Sequence, residues 1–177
     1  MSEARPSGLP HWPVRLSQVP SGGLDFVRDR LSEDDARAFA AHLGVQALSA
    51  FHLKAHIRPH RGDGLAVEGR VRATVAQTCV VSLEAMDNLI DEEIEVSYRP
   101  QEVLKPVLVE DEDGIAIDAG IDSDDPLIGG TIDLAAIAAE FLALGIDPYP
   151  RKPGIDFDAP SAGEGASPFA ALAKLKR

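Results

Sequence analysis

A chain of 177 residues with 45% hydrophobic and 26% charged residues has the makeup of one soluble domain with tails, and no apolar run approaches the roughly 20 residues of a membrane helix. A single cysteine excludes an internal disulfide, and the opening MSEARPSGLPHW lacks the apolar core of a signal peptide, so a reducing cytoplasm is the expected compartment. The net charge of −12 is unevenly placed: residues 1–75 hold 10 Lys/Arg against 8 Asp/Glu, residues 76–150 hold 2 against 18, and residues 151–177 hold 5 against 3.

Residues 1–12, with Pro6 and Pro10 and no periodicity, are expected to be disordered. Pro13 to Val19 alternates apolar and polar residues as a short strand does, Pro20 marks its end, and Ser21-Gly22-Gly23 is a turn. Ser32, with Asp35 three residues on, starts a helix over about 33–43. Ala36, Phe39, Ala40 and Leu43 form its apolar stripe, and Gly44 ends it.

Val45 to Pro59 reads as a strand, with Val45, Ala47, Ser49, Phe51, Leu53, Ala55 and Ile57 on one face. Gln46, Leu48, Ala50, His52, Lys54, His56 and Arg58 then share the other. Arg61-Gly62-Asp63-Gly64 is a turn, and Leu65 to Thr78 is the returning strand, with Glu68, Arg70, Arg72 and Thr74 outward. A hairpin closing there sets residues summing to 124 opposite each other: Lys54 against Arg70, His52 against Arg72, His56 against Glu68. Like charges directly opposite destabilise a sheet, so this basic ribbon predicts either an anionic partner, such as nucleic-acid phosphates, or a solvated face that discourages edge pairing.

Beyond Cys79 the alternation breaks and resumes from Leu89 or Ile90 to Tyr98. Asp91, Glu93 and Glu95 line one face of this third antiparallel strand, and Glu92 is the polar residue of the other. The acidic row could neutralise the basic one. Glu110-Asp111-Glu112-Asp113-Gly114 is an acidic turn before the alternating Ile115 to Asp118, without the ligand spacing of a calcium loop. Asp133 caps a second helix over Leu134–Leu144, and Gly145 stops it. The expected organisation is one α+β domain over 1–150, a flexible linker over 151–166 and a short docking helix over 167–177. Its fold is an antiparallel sheet of about five strands, barrel-like closure left open, with two packed helices.

No nucleophile, base and orienter recur in a recognisable arrangement, and no glycine-rich phosphate loop is present. Cys79 follows a strand among apolar neighbours, as a buried inert thiol would. His52, His56 and His60 share a four-residue spacing that does not converge on a strand, so no metal site or cofactor is expected.

Three segments resemble the YceD family of large-ribosomal-RNA-subunit accumulation proteins. They are Gly69 to Val75 leading into Cys79 and Leu83-Glu84, then Ile132-Asp133-Leu134 through Leu144 to Pro148-Tyr149-Pro150, and last the terminal Ser167-Pro168-Phe169 to Leu175-Lys176. The family often carries Cys-x-x-Cys at the first segment. Here Ser82 stands at the second cysteine position and no cysteine follows Pro150, so a metal is not carried over.

The resemblance implies a non-enzymatic bacterial or organellar factor of ribosome assembly or rRNA processing. Two mechanisms follow. In the first, His52, Lys54, Arg58, Arg70 and Arg72 hold 23S rRNA or its precursor by its phosphates. In the second, an acidic surface including Glu92, Glu93 and Glu95 receives a basic large-subunit ribosomal protein. Phe169, Leu172, Lys174 and Lys176 of the terminal helix are expected to meet a partner.

Overall fold

The hairpin expected at 61–64 is the centre of the molecule. The computed structural model describes residues 8–100 and 124–155, together with the backbone of two short strands between them. In chain order the elements are β1 (Pro13–Arg15), β2 (Leu24–Arg28), α1 (Glu33–Leu43), β3 (Ala47–His60), β4 (Gly64–Thr78) and β5 (Ala85–Arg99). After them come β6 (Leu108–Asp111), β7 (Gly114–Ile117), β8 (Asp125–Pro126), β9 (Thr131–Asp133) and α2 (Leu134–Leu144).

Strands β2-β3-β4-β5-β8 form one sheet in that order. The expectation of a purely antiparallel sheet is corrected, and the question of barrel-like closure is answered. Strand β8 joins β5 in parallel at Tyr98 and Arg99, making the sheet mixed, and its two edges do not meet. Strands β1 and β9 pair separately, as do β6 and β7, which flank the acidic turn.

The register of the β3–β4 hairpin follows the sum of 124: His52 opposes Arg72, Lys54 opposes Arg70 and His56 opposes Glu68. Arg61 and Gly62 take left-handed φ values of 49° and 89° to close it. The N-terminal half of β3 departs from its alternation. Ala50 adopts φ 49° and the register shifts between Ser49 and His52, a bulge that reverses the faces before it. Leu48 is therefore buried while Ala47 and Ser49 face water, opposite to simple alternation.

One face of the sheet carries the core: Phe51, Leu53 and Ile57 of β3, Val67, Val71 and Val75 of β4, and Ile90 and Ile94 of β5. Helices α1 and α2 cover it through Phe39, Ala40, Leu134, Ile137, Ala138 and Leu142. Both helices begin as expected, with the Ser32 hydroxyl accepting from the Asp35 N–H at 3.1 Å and the Asp133 carboxylate from the Ala135 N–H at 3.0 Å.

The expectation of disorder through residue 12 is corrected at its end. Trp12 is buried, its ring 5.9 Å from those of Phe26 and Phe39, and Asp133 accepts its N–H at 2.9 Å. Aromatic packing at those distances stabilises beyond area alone. The expected strand over 13–19 is shorter, ending at Arg15 and passing into a 3₁₀ turn at Leu16–Gln18. The start of the expected linker is also anchored, because Lys152 donates its N–H to the Cys79 sulfur at 3.4 Å and its ammonium lies 2.7 Å from Glu84. The docking helix over 167–177 lies outside the described residues. No helix among the described residues is long and apolar enough to cross a membrane.

Candidate interaction face

The helices leave the other face of the sheet open, and period-two alternation sends every second residue of β2 to β5 onto it. Register stacks these residues in rows across the strands. One row runs Asp25, His56, Glu68, Glu95; the next runs Val27, Lys54, Arg70, Glu93; the third carries His52, Arg72 and Asp91. The two middle strands supply the cations and the two flanking strands most of the carboxylates, with Glu68 of β4 the exception. Around this face stand Lys54, Arg58, Arg70 and Arg72 against Asp25, Asp29, Glu68, Asp87, Asp91, Glu93 and Glu95.

The expected basic ribbon is therefore brought together, but its members already have carboxylates. Arg58 reaches Glu68 at 2.6 Å, and both Arg70 (2.5 Å) and Arg72 (3.0 Å) reach Asp91. His52 lies 2.8 Å from Asp29 and His56 2.7 Å from Asp25. The hydrogen bonds from Arg72 and Arg70 hold the Asp91 carboxyl below the usual range, and the Arg58 guanidinium does the same for Glu68. Lys54 makes no ion pair with a described residue. On the acidic side, Asp87, Glu93 and Glu95 are exposed and likewise make none among the described residues.

Glu92 sits apart from Glu93 and Glu95. It is half-buried on the helix side beneath Gly145, where a Cβ would lie 2.6 Å from its Oε1. This close crossing explains why a glycine ends α2. Phe169, Leu172, Lys174 and Lys176 lie outside the described residues.

Sequence reasoning missed Asp25 and Asp29, the partners of the two histidines. The burial of Leu24 to Arg28 alternates in period two, but in the sequence Val27 and Arg28 break the apolar–polar alternation, and five residues next to a Gly-Gly turn make a faint strand. It also missed a cleft of about 450 Å³ where β5 meets α2, walled by Arg58, Glu68, Glu95, Asp125, Glu140 and Phe141. Burial, with the negative charges of Asp125 and Glu140, raises the Tyr98 hydroxyl above its ordinary range, as expected of an acid-rich corner. These groups come from five separate elements, β3, β4, β5, β8 and α2, that no local spacing connects.

Cys79 is fully buried at the start of the β4–β5 turn. Ser82 N–H and Lys152 N–H point at its sulfur, each at 3.4 Å. Hydrogen bonding from Ser82, side chain first and then backbone, with help from the Lys152 and Val81 N–H groups, outweighs burial and pulls the thiol down to about 6. The turn that carries it also holds Leu83 at φ 60° and returns a Leu83 N–H to the Cys79 carbonyl at 2.9 Å.

A mixed sheet with helices on one side and an open, charged face on the other defines an α+β protein whose exposed chemistry is that of a charged surface. The chain belongs to the family described as large ribosomal RNA subunit accumulation protein YceD, whose sequence model matches residues 67–176. That span contains β4 from Val67 onward, β5, the Cys79 turn, the cleft residues Glu68, Glu95 and Glu140, and α2 itself. The family ties the chain to ribosome biogenesis and to the RNA of the large subunit. No curated protein and no solved structure matches the chain.

Proposed function

We propose that this chain acts without catalysis in assembly of the large ribosomal subunit, as an acidic factor that receives a basic ribosomal protein and so sustains accumulation of 23S rRNA. One observation carries the choice of partner. The arginines of the open face are engaged by Glu68 and Asp91, whereas Asp87, Glu93 and Glu95 meet no cation among the described residues. An RNA phosphate would have to displace a carboxylate already in hydrogen-bonding contact with each of those arginines. A lysine- or arginine-rich protein finds carboxylates without such a competitor.

The rRNA-binding reading keeps one observation of its own. Lys54 stands directly opposite Arg70 and has no ion pair with a described residue, so the centre of the ribbon holds two like charges that a phosphate would relieve.

Binding across a salt series separates the two. The probes are purified large-subunit ribosomal proteins and large-subunit rRNA fragments, tested on wild type, Glu93→Lys/Glu95→Lys and Arg70→Glu/Arg72→Glu. Receipt of a basic protein requires binding that the glutamate reversal abolishes and the arginine reversal spares. Binding of rRNA that falls steeply with salt, and is lost only on arginine reversal, would replace this reading with the phosphate one.

A further inference from the structure

The two edges of the main sheet differ greatly in length. At one side β2 has five residues. At the other, β5 has 15, yet on its outer side only Tyr98 and Arg99 are paired, by the two-residue β8. On its inner side β5 pairs with β4 through 14 consecutive residues without a bulge, so the strand is held in one register. Strands β6 and β7 pair with each other and not with it. Among the described residues, then, Ala85–Ser97 presents a row of backbone N–H and C=O groups without strand partners.

Natural proteins blunt such edges with proline, charged side chains, bulges or brevity. This edge has no proline, bulge or brevity, and its charges are all negative: Asp87, Asp91, Glu93 and Glu95 on the open face, with Leu89 among them, and Glu92 on the helix side. Those charges select what can pair. A second copy joining β5 to β5 would bring two acidic rows side by side, and β5 joining β2 of another copy would meet Asp25 and its neighbour Asp29. Both forms of self-association are repelled. A strand bearing lysine or arginine at alternate positions would be attracted along its whole length.

The cleft adds a second feature at the same edge. It is lined by Glu95 and Val96 of β5, Glu140 and Phe141 of α2 and Asp125 of β8, together with Arg58 and its partner Glu68. A cationic side chain of an added strand that reaches into this cleft would find the carboxylates of Glu95, Glu140 and Asp125, with Val96 and Phe141 as apolar surface for its methylene stem.

We propose that the outer edge of β5, Ala85–Ser97, takes up an extended lysine- or arginine-rich segment of a protein partner as an additional strand. Main-chain hydrogen bonds supply the docking, and the acidic row with the β5–α2 cleft supplies the selection. The proposal rests on the reading that the partner is a basic protein, and it adds how that partner is held.

The test uses the full chain and a fluorescent ten-residue peptide alternating lysine and valine. A second peptide is N-methylated at alternate residues, keeping the charges while removing the donors of one edge. A third has glutamate for lysine. Strand addition predicts binding of the first, at least tenfold weaker binding of the second and none of the third. It also predicts slowed hydrogen exchange in β5 amides between 85 and 97 on binding, and weaker binding of the lysine peptide to Glu93→Lys/Glu95→Lys. Equal binding of the parent and methylated peptides overturns strand addition and leaves the acidic-surface reading standing. No binding of the lysine peptide overturns the proposal outright. So does full protection of the β5 amides in the unbound chain, because the edge would then already be covered. Protection of these amides by single-stranded RNA and not by the peptide overturns it in favour of nucleic acid.

Discussion

Gly69 lies at the middle of β4, facing the core, between Ala55 of β3 and Ile94 of β5. A Cβ placed there would sit 2.2 Å from the Lys54 carbonyl oxygen and 2.8 Å from the Ala55 Cα. Carbon-to-oxygen contacts between strands settle at about 3.3–3.6 Å, so Gly69→Ala requires β3 to withdraw by about 1 Å. The obstructing atoms are backbone, and no rotamer change can move them. Overpacking of this kind costs about 1–3 kcal/mol, offset by about 0.4–1 kcal/mol from the smaller conformational freedom of the unfolded alanine chain. The net expectation is a loss of about 1.5 kcal/mol. For a chain of this length that lowers Tm by about 3–6 °C. Thermal melting and urea titration measure it, with the urea midpoint falling and the slope unchanged. Gly22→Ala is the control, since nothing lies within 4 Å of its Cβ and its φ is not left-handed. It should melt at or slightly above wild type. A Gly69→Ala variant as stable as Gly22→Ala would refute the close approach of β3 and β4, and with it the packing that sets the Lys54–Arg70 row.

Three further outcomes are expected. Asp91→Asn removes the carboxylate shared by Arg70 and Arg72, so the variant should elute from a heparin column at higher salt than Glu93→Gln, which makes the same charge change without breaking a pair; equal elution sinks the account of neutralised arginines. Asp133→Ala loses the α2 cap and leaves the part-buried Trp12 N–H without its acceptor, a cost of about 2–3 kcal/mol by urea unfolding, while Asp133→Asn keeps both acceptor roles and should lose less than about 1 kcal/mol. Cys79 has a folded-state value of about 6 against an ordinary 9.0, so its ionisation adds stability that is fully present above about pH 9 and is lost as the pH falls through about 6. The urea midpoint of wild type should therefore rise more steeply from pH 6 to pH 9 than that of Cys79→Ala; parallel profiles would show that the thiol carries no such linkage.

How far the chain could be read in advance depends on whether a signal was local. The α1 boundaries and the start of α2 follow from Ser32, Gly44 and Asp133, residues whose capping chemistry acts within one turn, whereas Gly145, right-handed at φ −82°, is required by its close approach to Ile90 and Glu92 of β5. The β3–β4 register follows from a turn whose position glycine reveals and whose pairing is then arithmetic. The Ala50 bulge was not readable, because its cause is the packing of Leu48 and Phe51 against the core rather than any preference of alanine for positive φ. Strand β8 was equally hidden, since two residues bear no period at all.

The candidate face divides along the same line. Alternation alone placed Lys54, Arg70 and Arg72 together on an outward face, and placed Glu93 and Glu95 on another. Their relation was a matter of strand order, which is non-local. Once β5 lies beside β4, Asp91 falls within reach of two arginines, and once β2 lies beside β3, Asp25 and Asp29 meet two histidines. The sequence by itself determined which residues turn outward, because a pleated strand has a period of two. Only the tertiary structure decided which outward charges are satisfied and which stand open, because Coulomb attraction depends on distances that strand order and register set.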